Sequence, residues 1–467
     1  MAWHRNEILL ATGGRLLRKG KSERFGEVVT DSNKVQRGSV FVALKGERLD
    51  GHRFVGQAVR RGAGCVVVHR ELHPSAYGAA TVVKVGDTLR ALGGLAHHRR
   101  KTYGPKVLAI TGSNGKTTTK EMLAAILDEA ALNRKPLRGK ILKTEGNFNN
   151  LVGLPLTLLR LPKTSKVAVV ELGTNHPGEI ERLAEIAAPD MGIITSVAAA
   201  HLEGLNSLAG VAREKGALFS GVQQGGMIAV NLDDPWVRRL GQRFKGQKIT
   251  YGVGGQVQVE SWRSLGAKGM LLYLRVGRQR SRVRLNFLGE HNIVNAAGAA
   301  AMAYGFGVSL AAIRRGLQKA KPFPMRMQLE NWKQIGIIND AYNANPASME
   351  AAIKTLASVQ CRGEKTAILG DMFELGRQTR RQHLQLGKQV ARAGIGRLYL
   401  LGAQAKQVRQ GALQGGMPAG RIVIGKDHAD LANRLRSHVK REDWLLFKGS
   451  RGMKMERALN QMKSGAA

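Results

Sequence analysis

The segment that most restricts the fold of this chain runs from Val107 to Met122, with the sequence VLAITGSNGKTTTKEM. It begins with an apolar run, continues through two glycines and a lysine, and ends in threonines that open a helical pattern. A strand, a glycine loop and a helix in this order favour bound phosphate, because loop N–H groups and the helix N-terminus attract negative charge. The segment therefore predicts a nucleotide-binding α/β unit built on a parallel sheet.

The loop in this segment is short. We expect Lys116 to neutralise the β- and γ-phosphates of ATP and the hydroxyl of Thr117 to coordinate Mg²⁺. The strict pattern G-x-x-x-x-G-K-[ST] is not met, because Ile110 stands where its first glycine belongs. A shortened phosphate loop is favoured over a plain glycine turn before a helix. Its ATP-binding residues are Gly112, Ser113, Asn114, Gly115, Lys116, Thr117 and Thr118.

Alternating strand and helix patterns predict an α/β fold with three domains. Residues 1–104 are predicted to form a small α/β domain. Residues 105–319 are predicted to form a central ATP-binding parallel sheet with added antiparallel hairpins. After KPFPMRM the alternation restarts, so residues 320–467 are predicted to form a Rossmann-like domain. The 467 residues, 43% of them hydrophobic, fit this organisation.

Signals for secretion or membrane insertion are weak. Cys65 and Cys361 are the two cysteines, too few for a disulfide framework or a four-ligand zinc site. The apolar run Ile8–Ala11 is too short for the core of a signal peptide. The uncharged run Asn292–Ile313 is rich in alanine and glycine, which predicts two buried helices joined by a turn. We expect a cytoplasmic protein without a transmembrane segment.

The formal net charge of +39 favours anionic partners such as nucleotides, phosphorylated substrates, anionic lipid surfaces or nucleic acid. The basic residues are scattered along the chain rather than gathered in one tail, and aromatic residues make up only 5%. Few stacking platforms are therefore present for single strands. A solvated basic surface is the favoured interpretation, and no stable nucleic acid partner is expected.

Candidate catalytic side chains follow the predicted strands of the central segment. Glu171 ends a strand in VVELGTNHPGEI, where a carboxylate beside a phosphate loop is placed to bind a metal ion. His201 follows another strand and is a candidate for a second metal position, although a lone histidine is usually structural or solvated. Lys215 lies in the helical pattern VAREKGALF, and from the sequence alone a solvated or salt-bridged lysine is favoured.

Polar residues also cluster near the start of one helix and at the junction with the last segment. Asn292 and Asn295 lie on one helical face, where they either cap the helix or contact adenine or ribose. Arg326, in PMRM, either reaches a phosphate across the junction or forms a surface ion pair.

Two strand ends of the last segment carry further polar groups. INDAYNANPASM places Asp340 at a strand end and Asn345 as an N-cap before a helix. FKGSRGMKMERA places small and basic residues at a strand-to-helix turn, which suits a carboxylate or a phosphate. The remaining candidates are Tyr342, Asn343, Lys448, Ser450 and Arg451.

These motifs resemble the Mur ligase family of bacterial cell-wall synthesis. The resemblance covers nearly the whole chain and includes TDSNKVQRGSVFVALKGERLDGHRF, the phosphate loop, EGNFNNLVGLPLTLL, ELGTNHPGEI, AAAHLEGLNSLAGVAREKG, INDAYNANPASM, LGDMFELG and FKGSRGMKME. The short G-x-x-G-K-T loop is the form that this family uses. DAYNANP and GDMFELG are most similar to the member that adds D-alanyl-D-alanine to UDP-N-acetylmuramoyl-tripeptide, an ATP-dependent amide ligase acting through an acyl phosphate.

The resemblance implies roles for individual residues. Thr117, Glu171 and His201 would serve metal positions, and Lys215 matches a lysine that is carbamylated in the family and helps to place Mg²⁺. The implied catalytic residues are Lys116, Glu171, His201 and Lys215. The implied ATP contacts beyond the loop are Asn292, Asn295, Arg326 and Asp340. The resemblance further implies that the domain of residues 1–104 binds the UDP end of the substrate and that the domain of residues 320–467 receives the amine substrate. The implied substrate contacts are Asp31, Ser32, Lys45, Gly46, Asn147, Asn149, Tyr342, Asn343, Lys448, Ser450 and Arg451.

One residue departs from the family pattern. The family usually has arginine where this chain has Asn33, followed by Lys34, so the direct arginine contact to the uridine nucleotide is not expected from this position. The implied cofactors are ATP and Mg²⁺, the implied partners are UDP-N-acetylmuramoyl-tripeptide and D-alanyl-D-alanine, and we expect a monomer. The alternatives are another Mur-type or folylpolyglutamate-type amide ligase and a basic ATPase stimulated by nucleic acid.

Overall fold

Three large sheets organise the chain. In the computed structural model they contain five, nine and six strands within the described residues 2–47, 49–132 and 134–465. The α/β fold with a parallel central sheet is confirmed. The domain boundaries at residues 104 and 319 stay a prediction.

The N-terminal sheet has four neighbouring parallel strands and one antiparallel edge strand. Its region contains β1 (Trp3–His4), β2 (Arg15–Arg18), β3 (Arg24–Phe25), β4 (Val28–Val29), β5 (Val40–Val42), β6 (Cys65–Val68), β7 (Thr81–Lys84), α1 (Arg5–Thr12), α2 (Val55–Arg60) and α3 (Thr88–Tyr103). The strand order is β2-β7-β6-β5-β4, with β2 antiparallel to β7. The pattern TLRALGGLAHHRRKTY, which precedes YGPK, predicts a helix, and α3 covers these residues. Asp87 caps its first N–H groups, and Gly104 ends it in the left-handed conformation.

The central sheet carries the phosphate loop. The strands of this region are β8 (Lys106–Thr111), β9 (Ala131–Leu132), β10 (Lys135–Pro136), β11 (Ile141–Lys143), β12 (Val167–Glu171), β13 (Met191–Ile194), β14 (Met227–Asn231), β15 (Gln247–Tyr251), β16 (Val257–Ser264), β17 (Met270–Val276) and β18 (Gln279–Leu285). The helices are α4 (Lys116–Asp128), α5 (Gly153–Leu159), α6 (Glu179–Ala187), α7 (Leu202–Leu205), α8 (Leu208–Ser220), α9 (Pro235–Arg243), α10 (His291–Gly305) and α11 (Leu310–Lys319). The order is β11-β12-β8-β13-β14-β15-β16-β17-β18, and β9 pairs separately with β10.

The apolar strand β8 packs on both of its faces. Leu108 and Ile110 lie in one core with residues of α4, α10 and α11. Val107 and Ala109 lie in a second core with residues of α5, α6 and α8. Because strand side chains alternate between faces, a continuous apolar strand is stable only when helices cover both sides. The helices on both faces of β8 fix the position of its carboxyl end, where the phosphate loop begins.

The antiparallel strands predicted after the parallel ones extend the same sheet. β16, β17 and β18 pair antiparallel over seven to eight residues each, and β16 joins β15 through the pair Tyr251 and Val257. The run Asn292–Ile313 forms α10 and the start of α11, as predicted, with a left-handed Gly307 between them. No helix in the described residues is long and apolar enough to cross a membrane.

The C-terminal sheet is parallel apart from one edge strand. Its strands are β19 (Gln328–Trp332), β20 (Ile335–Asp340), β21 (Lys365–Gly370), β22 (Arg397–Leu401), β23 (Ile422–Ile424) and β24 (Trp444–Lys448). The helices are α12 (Pro346–Ser358), α13 (Thr379–Arg392), α14 (Ala405–Gln414), α15 (His428–Arg436) and α16 (Glu456–Ser464). The order is β19-β20-β24-β21-β22-β23, with β19 antiparallel to β20. The predicted cap is confirmed, because Asn345 accepts from the N–H of Ser348 at the start of α12.

Replacing Gly316 by alanine should destabilise the protein. Gly316 lies in α11, where a Cβ would overlap the backbone of Ile126 in α4. An alanine within a helix is ordinarily stabilising by up to about 1 kcal/mol, but overpacking of this contact should cost about 1–3 kcal/mol. Chemical denaturation of Gly316→Ala measures the change. Gly56→Ala in α2 is the control, since its Cβ would make ordinary contacts. Equal stability of the two variants would contradict the packing argument.

The stability of the C-terminal domain should fall at acid pH through His383. This fully buried imidazole accepts from the N–H of Met372 at 3.0 Å and donates from Nδ1 to the carbonyl of Thr379 at 2.7 Å, so the neutral form is satisfied on both sides. Burial lowers its pKa below 6.5, against the Thr379 hydrogen bond and the charge of Asp371.

Because the folded pKa is the lower one, the unfolded chain takes up a proton first as the pH falls below about 6.5. The free energy of unfolding should then decrease by up to about 1.4 kcal/mol per pH unit from this group. Denaturant titrations at pH 7.5, 6.5 and 5.5 should show a smaller decrease for His383→Gln than for the native protein. An unchanged slope in the variant would refute the assignment.

Candidate active site between the central and C-terminal sheets

The phosphate loop depends on close backbone contacts that glycine alone permits. Gly112 has φ of +150° and Gly115 has φ of +82°, a region that favours glycine. A Cβ at Gly112 would overlap the hydroxyl of Thr195, and one at Gly115 would overlap the side-chain oxygen of Asn295. The loop is also held by Ser113, whose N–H donates to the carbonyl of Ser196 at 2.8 Å. The loop conformation is therefore fixed by β13 and α10, not by its own sequence alone.

Two lysines lie beneath the loop without a fully compensating anion. Lys116 Nζ donates to the carbonyl of Gly112 at 2.7 Å. Burial lowers the pKa of Lys116, while Glu171 opposes this shift. Lys215 is only 1% exposed, so the interpretation of it as a solvated lysine is wrong. Burial and the like charge of Lys116 hold the pKa of Lys215 well below its ordinary value, although Glu214 acts in the opposite direction.

The buried carboxylate of Glu171 joins three parts of the central sheet. Its Oε2 accepts from the hydroxyl of Thr117 at 2.8 Å, and its Oε1 accepts from the amide of Asn149 at 2.8 Å. Its backbone N–H donates to Thr144 Oγ1 at 3.0 Å. Lys120 Nζ, fully buried in α4, donates to the carbonyl of Thr144 at 2.6 Å. The strand end, the helix after the loop and the segment after β11 are thus held together at one carboxylate.

Thr117 and Glu171 provide oxygen ligands of the kind that Mg²⁺ prefers. Within the described residues, no group of three or more histidine, cysteine, aspartate or glutamate side chains is placed to hold a metal ion. Mg²⁺ commonly binds through one or two protein oxygens and completes its shell with waters and substrate phosphates. The donor set therefore fits Mg²⁺ bound together with a nucleotide and does not fit a metal held by protein alone.

His201 reaches the C-terminal domain. It has a left-handed φ of +55°, and its Nδ1 lies 2.6 Å from Oε2 of Glu374. This hydrogen bond lowers the pKa of the Glu374 carboxyl. The predicted metal role of His201 stays a prediction, since its ring is paired with Glu374 here.

The helix α10 presents two linked asparagines to the loop. Asn292 donates to the carbonyl of Leu288 at 2.7 Å, and Asn295 donates to Oδ1 of Asn292 at 2.9 Å. The N-cap of α10 is Glu290, which makes no side-chain capping bond. The capping interpretation of both asparagines is therefore wrong. Because Asn295 also contacts Gly115, the pair couples α10 to the phosphate loop.

Side chains at the domain junction approach the loop from the other side. The Arg326 guanidinium lies 3.9 Å from the ring centroid of Tyr342, and its buried Nε has no hydrogen-bond partner among the described residues. The surface ion pair considered for Arg326 is wrong. Lys448 Nζ lies 2.5 Å from Oδ2 of Asp340 and donates to the carbonyl of Asn343 at 2.9 Å.

The turn after β24 is anchored within its own domain. Ser450 Oγ accepts from the N–H of Phe373 at 2.8 Å. Arg451 forms an ion pair with Glu456 at 2.8 Å. Both residues face the cleft between the central and C-terminal sheets.

One cleft of about 810 Å³ collects most of the predicted residues. Across it, Asn345 donates from Nδ2 to Oδ1 of Asn114 at 2.8 Å. Thr117 and Lys215 lie buried and do not line this cleft. The predicted residues that line it are Ser113, Asn114, Gly115, Lys116, Thr118, Asn147, Asn149, Glu171, His201, Asn292, Asn295, Arg326, Asp340, Tyr342, Asn343, Lys448, Ser450 and Arg451.

The four candidates of the N-terminal domain lie outside this cleft. Asp31 accepts from the N–H of Asn33 at 2.9 Å and caps a short 3₁₀ turn, and Ser32 donates to Gln57 at 3.2 Å. The other two, Lys45 and Gly46, lie in an exposed loop. Arg61 donates to the carbonyl of Asn33 at 3.0 Å, so a guanidinium stands beside the position where the family pattern fails.

Glu374, Asn345 and His291 are among the cleft residues that were not predicted as site residues. Glu374 lies in the GDMFELG motif, from which no role for this residue was predicted. Asn345 was predicted only as a helix cap. His291 faces the cleft, and burial lowers its pKa to about 4 against the opposing charge of Asp340. The sequence signal that could have identified His291 is its position directly before Asn292, a predicted site residue.

Known proteins match this chain along nearly its whole length. Three domain descriptions match: "Mur ligase family, catalytic domain" over residues 25–100, "Mur ligase middle domain" over residues 110–303, and "Mur ligase, glutamate ligase domain" over residues 325–451. The UDP-N-acetylmuramoyl-tripeptide–D-alanyl-D-alanine ligase of Escherichia coli is 36% identical, covering 95% of both chains. The enzyme of that name from Bacillus subtilis is 34% identical, covering 93% of this chain and 92% of its own.

Solved structures agree with these relatives. A crystal structure of MurF from Acinetobacter baumannii superposes with a TM-score of 0.90 at 32% identity, covering 99% of each chain. The MurF ligase of Thermotoga maritima, solved in complex with ADP, has a TM-score of 0.83 at 27% identity, covering 94% of this chain and 97% of its own. The chain belongs to the Mur ligase family.

Proposed function

We propose that this chain is the ATP-dependent ligase that joins D-alanyl-D-alanine to UDP-N-acetylmuramoyl-tripeptide in peptidoglycan precursor synthesis. The observation that carries this function is the single cleft in which Lys116 of the phosphate loop and Arg326 of the domain junction face the same space. Cations on both sides of a nucleotide's phosphates suit phosphoryl transfer. The names of the relatives support the choice of substrates.

The proposed reaction has two steps. A carboxylate oxygen of the tripeptide bonds to the γ-phosphorus of ATP, and the bond to the β-phosphate oxygen breaks, so that ADP leaves. The amine of D-alanyl-D-alanine then attacks the acyl carbon, loses a proton and expels phosphate. Lys116 and Arg326 neutralise charge on the transferred group, and the enclosed cleft limits hydrolysis of the acyl phosphate.

Bound Mg²⁺ would supply charge neutralisation between the phosphate oxygens. Thr117 and Glu171 are the residues that would hold it. Asn149 orients the carboxylate of Glu171 from the side opposite Thr117. Asn292 and Asn295 are proposed to contact the nucleoside from α10, together with Asp340 from the C-terminal domain.

Lys215 is proposed to act as a carbamate. Its pKa lies well below the ordinary value, so its amine is more readily neutral, and only a neutral amine can bond to the carbon of CO₂. The product is an anion with one proton released. It replaces the repulsion between Lys215 and Lys116 by an attraction, which supports this modification on electrostatic grounds.

The remaining substrates are proposed to bind on either side of the nucleotide. Asp31, Ser32, Lys45 and Gly46 would receive the UDP end, with Arg61 beside Asn33. Asn147 and Asn149 would lie along the tripeptide. The dipeptide would meet Tyr342, Asn343, Lys448, Ser450 and Arg451. We further propose a cytoplasmic monomer, since one chain supplies all of these side chains.

Phosphate release should depend on the dipeptide. Purified protein with ATP, Mg²⁺ and UDP-N-acetylmuramoyl-tripeptide, carrying either diaminopimelate or lysine, should release phosphate only when D-alanyl-D-alanine is added. Lys116→Ala should lower turnover by at least about 100-fold, because one charge-neutralising donor is lost. Release that follows addition of a single amino acid, or of RNA or DNA instead of the dipeptide, would overturn the proposed function.

A methyl group at Gly115 should impair nucleotide use through Asn295. Gly115 and Gly139 both have left-handed φ values, of +82° and +73°, so alanine is strained at either position. A Cβ overlaps Asn295 at Gly115 alone, because nothing lies within 4 Å at Gly139. Gly115→Ala should lower kcat/KM for ATP on the order of 100-fold, as expected for a misplaced phosphate. Gly139→Ala should retain most activity; equal losses would show that strain, not the contact, matters.

A further inference from the structure

Positive charge is concentrated at the antiparallel end of the central sheet. Residues 257–285, which contain β16, β17 and β18, hold seven basic side chains and one acidic side chain, Glu260. Glu260 forms ion pairs with Arg275 and Arg280 at one end of the strands. The other basic side chains of residues 257–285 have no acidic partner within this segment.

Three arginines at the other end of these strands are exposed. Arg263 lies on β16, and Arg282 and Arg284 lie on β18. Within the described part of the chain, none of them has an ion pair or a side-chain hydrogen bond. Charge on an edge strand prevents pairing with another sheet. This role is open to β18 and also to the end of β16 that carries Arg263, because within the described residues β16 joins β15 only through Val257.

Apolar side chains of β17 lie between these arginines. The strand register places Leu271 directly opposite Arg263 on one side and Arg284 on the other, and places Tyr273 opposite Arg282. Directly opposite residues project from the same face of a sheet. Tyr273 is 40% exposed. The outer face, composed of Ser261, Arg263, Leu271, Tyr273, Arg282 and Arg284, therefore has an apolar centre and a cationic rim.

The opposite face of these strands is already occupied. Met270, Leu272 and Leu274 are buried in the core that contains α10 and α11. An antiparallel sheet can be covered on one side and open on the other. The outer face is thus a broad, open surface, and its strands lie four to six positions away from β8, or roughly 20–30 Å. A partner bound there leaves the cleft accessible.

We propose that the outer face docks on an anionic phospholipid bilayer. Arginine is attracted to the headgroups of anionic lipids, and tyrosine favours the interface between headgroups and acyl chains. A nucleic acid strand would require several stacking aromatics, whereas Tyr273 is the single aromatic residue of this face. The proposal is independent of the ligase reaction.

Vesicle co-sedimentation of the full chain at about 0.15 M salt tests this surface. The protein should bind vesicles of phosphatidylcholine with 30% phosphatidylglycerol and should not bind pure phosphatidylcholine. The triple variant Arg263→Glu, Arg282→Glu and Arg284→Glu should partition on the order of 100-fold more weakly, from the loss of three basic contacts. Tyr273→Ser should also weaken binding, although it leaves the net charge unchanged.

The matched control reverses three exposed, unpaired arginines of α13, Arg380, Arg381 and Arg392. It should keep vesicle binding, and all variants should keep the melting temperature of the native protein. Equal loss in both triple variants would assign binding to net charge and overturn the proposal. Absence of vesicle binding, or binding of a labelled RNA through the outer face without vesicle binding, would overturn it as well.

Discussion

The hydrogen bond between Thr117 and Glu171 is the contact around which the candidate site is assembled. It joins the first turn of α4 to the end of β12, two elements that meet only because β8 and β12 are parallel neighbours. The second oxygen of Glu171 holds Asn149, and its backbone holds Thr144. Three segments distant in the sequence are thus tied to one buried carboxylate. Loss of such a partner costs more than its hydrogen bond, because the remaining polar groups stay buried.

The electrostatics of the site depend on burial, which lowers the pKa of its lysine side chains. Lys116 and Lys215 lie near each other under the loop, and Arg326 adds a third positive group near Lys116. In a folded protein such groups are unfavourable together unless an anion joins them. The site is therefore electrostatically incomplete without a phosphate or another anion. This incompleteness favours binding of a highly charged nucleotide over a neutral ligand.

Local features of the sequence predicted local features of the structure. The phosphate loop, the bounds of α3 and the cap of Asn345 each depend on residues within one short segment. Contacts between residues far apart in the sequence were harder to predict. Lys215 has the sequence context of a solvated lysine, and its burial is decided by how α8 packs on the sheet. The helix α14 was not predicted, because only Val408 and Leu413 of its ten residues carry large apolar side chains.

The candidate site likewise depends on contacts between residues that are far apart in the sequence. Asn114 and Asn345 are 231 positions apart, and their hydrogen bond exists only because two separate sheets face each other. The asparagines of α10 illustrate the converse case, since helix capping is a local rule that the packing of α10 against the phosphate loop overrides. Sequence patterns identify which chemical groups are present, and tertiary packing decides which of them meet.

The hydrogen bonds that cross the cleft affect how a ligand can enter it. Asn114 bonds to Asn345, and His201 bonds to Glu374, both between polar groups that water can replace. Each such bond contributes a net stabilisation of only about 0.5–3 kcal/mol. Separating the two sheets there breaks no strand pairing, because the described strands of the central and C-terminal sheets pair only within their own sheet. Opening of the cleft therefore requires the loss of these polar contacts but leaves the strand ladders of both sheets intact.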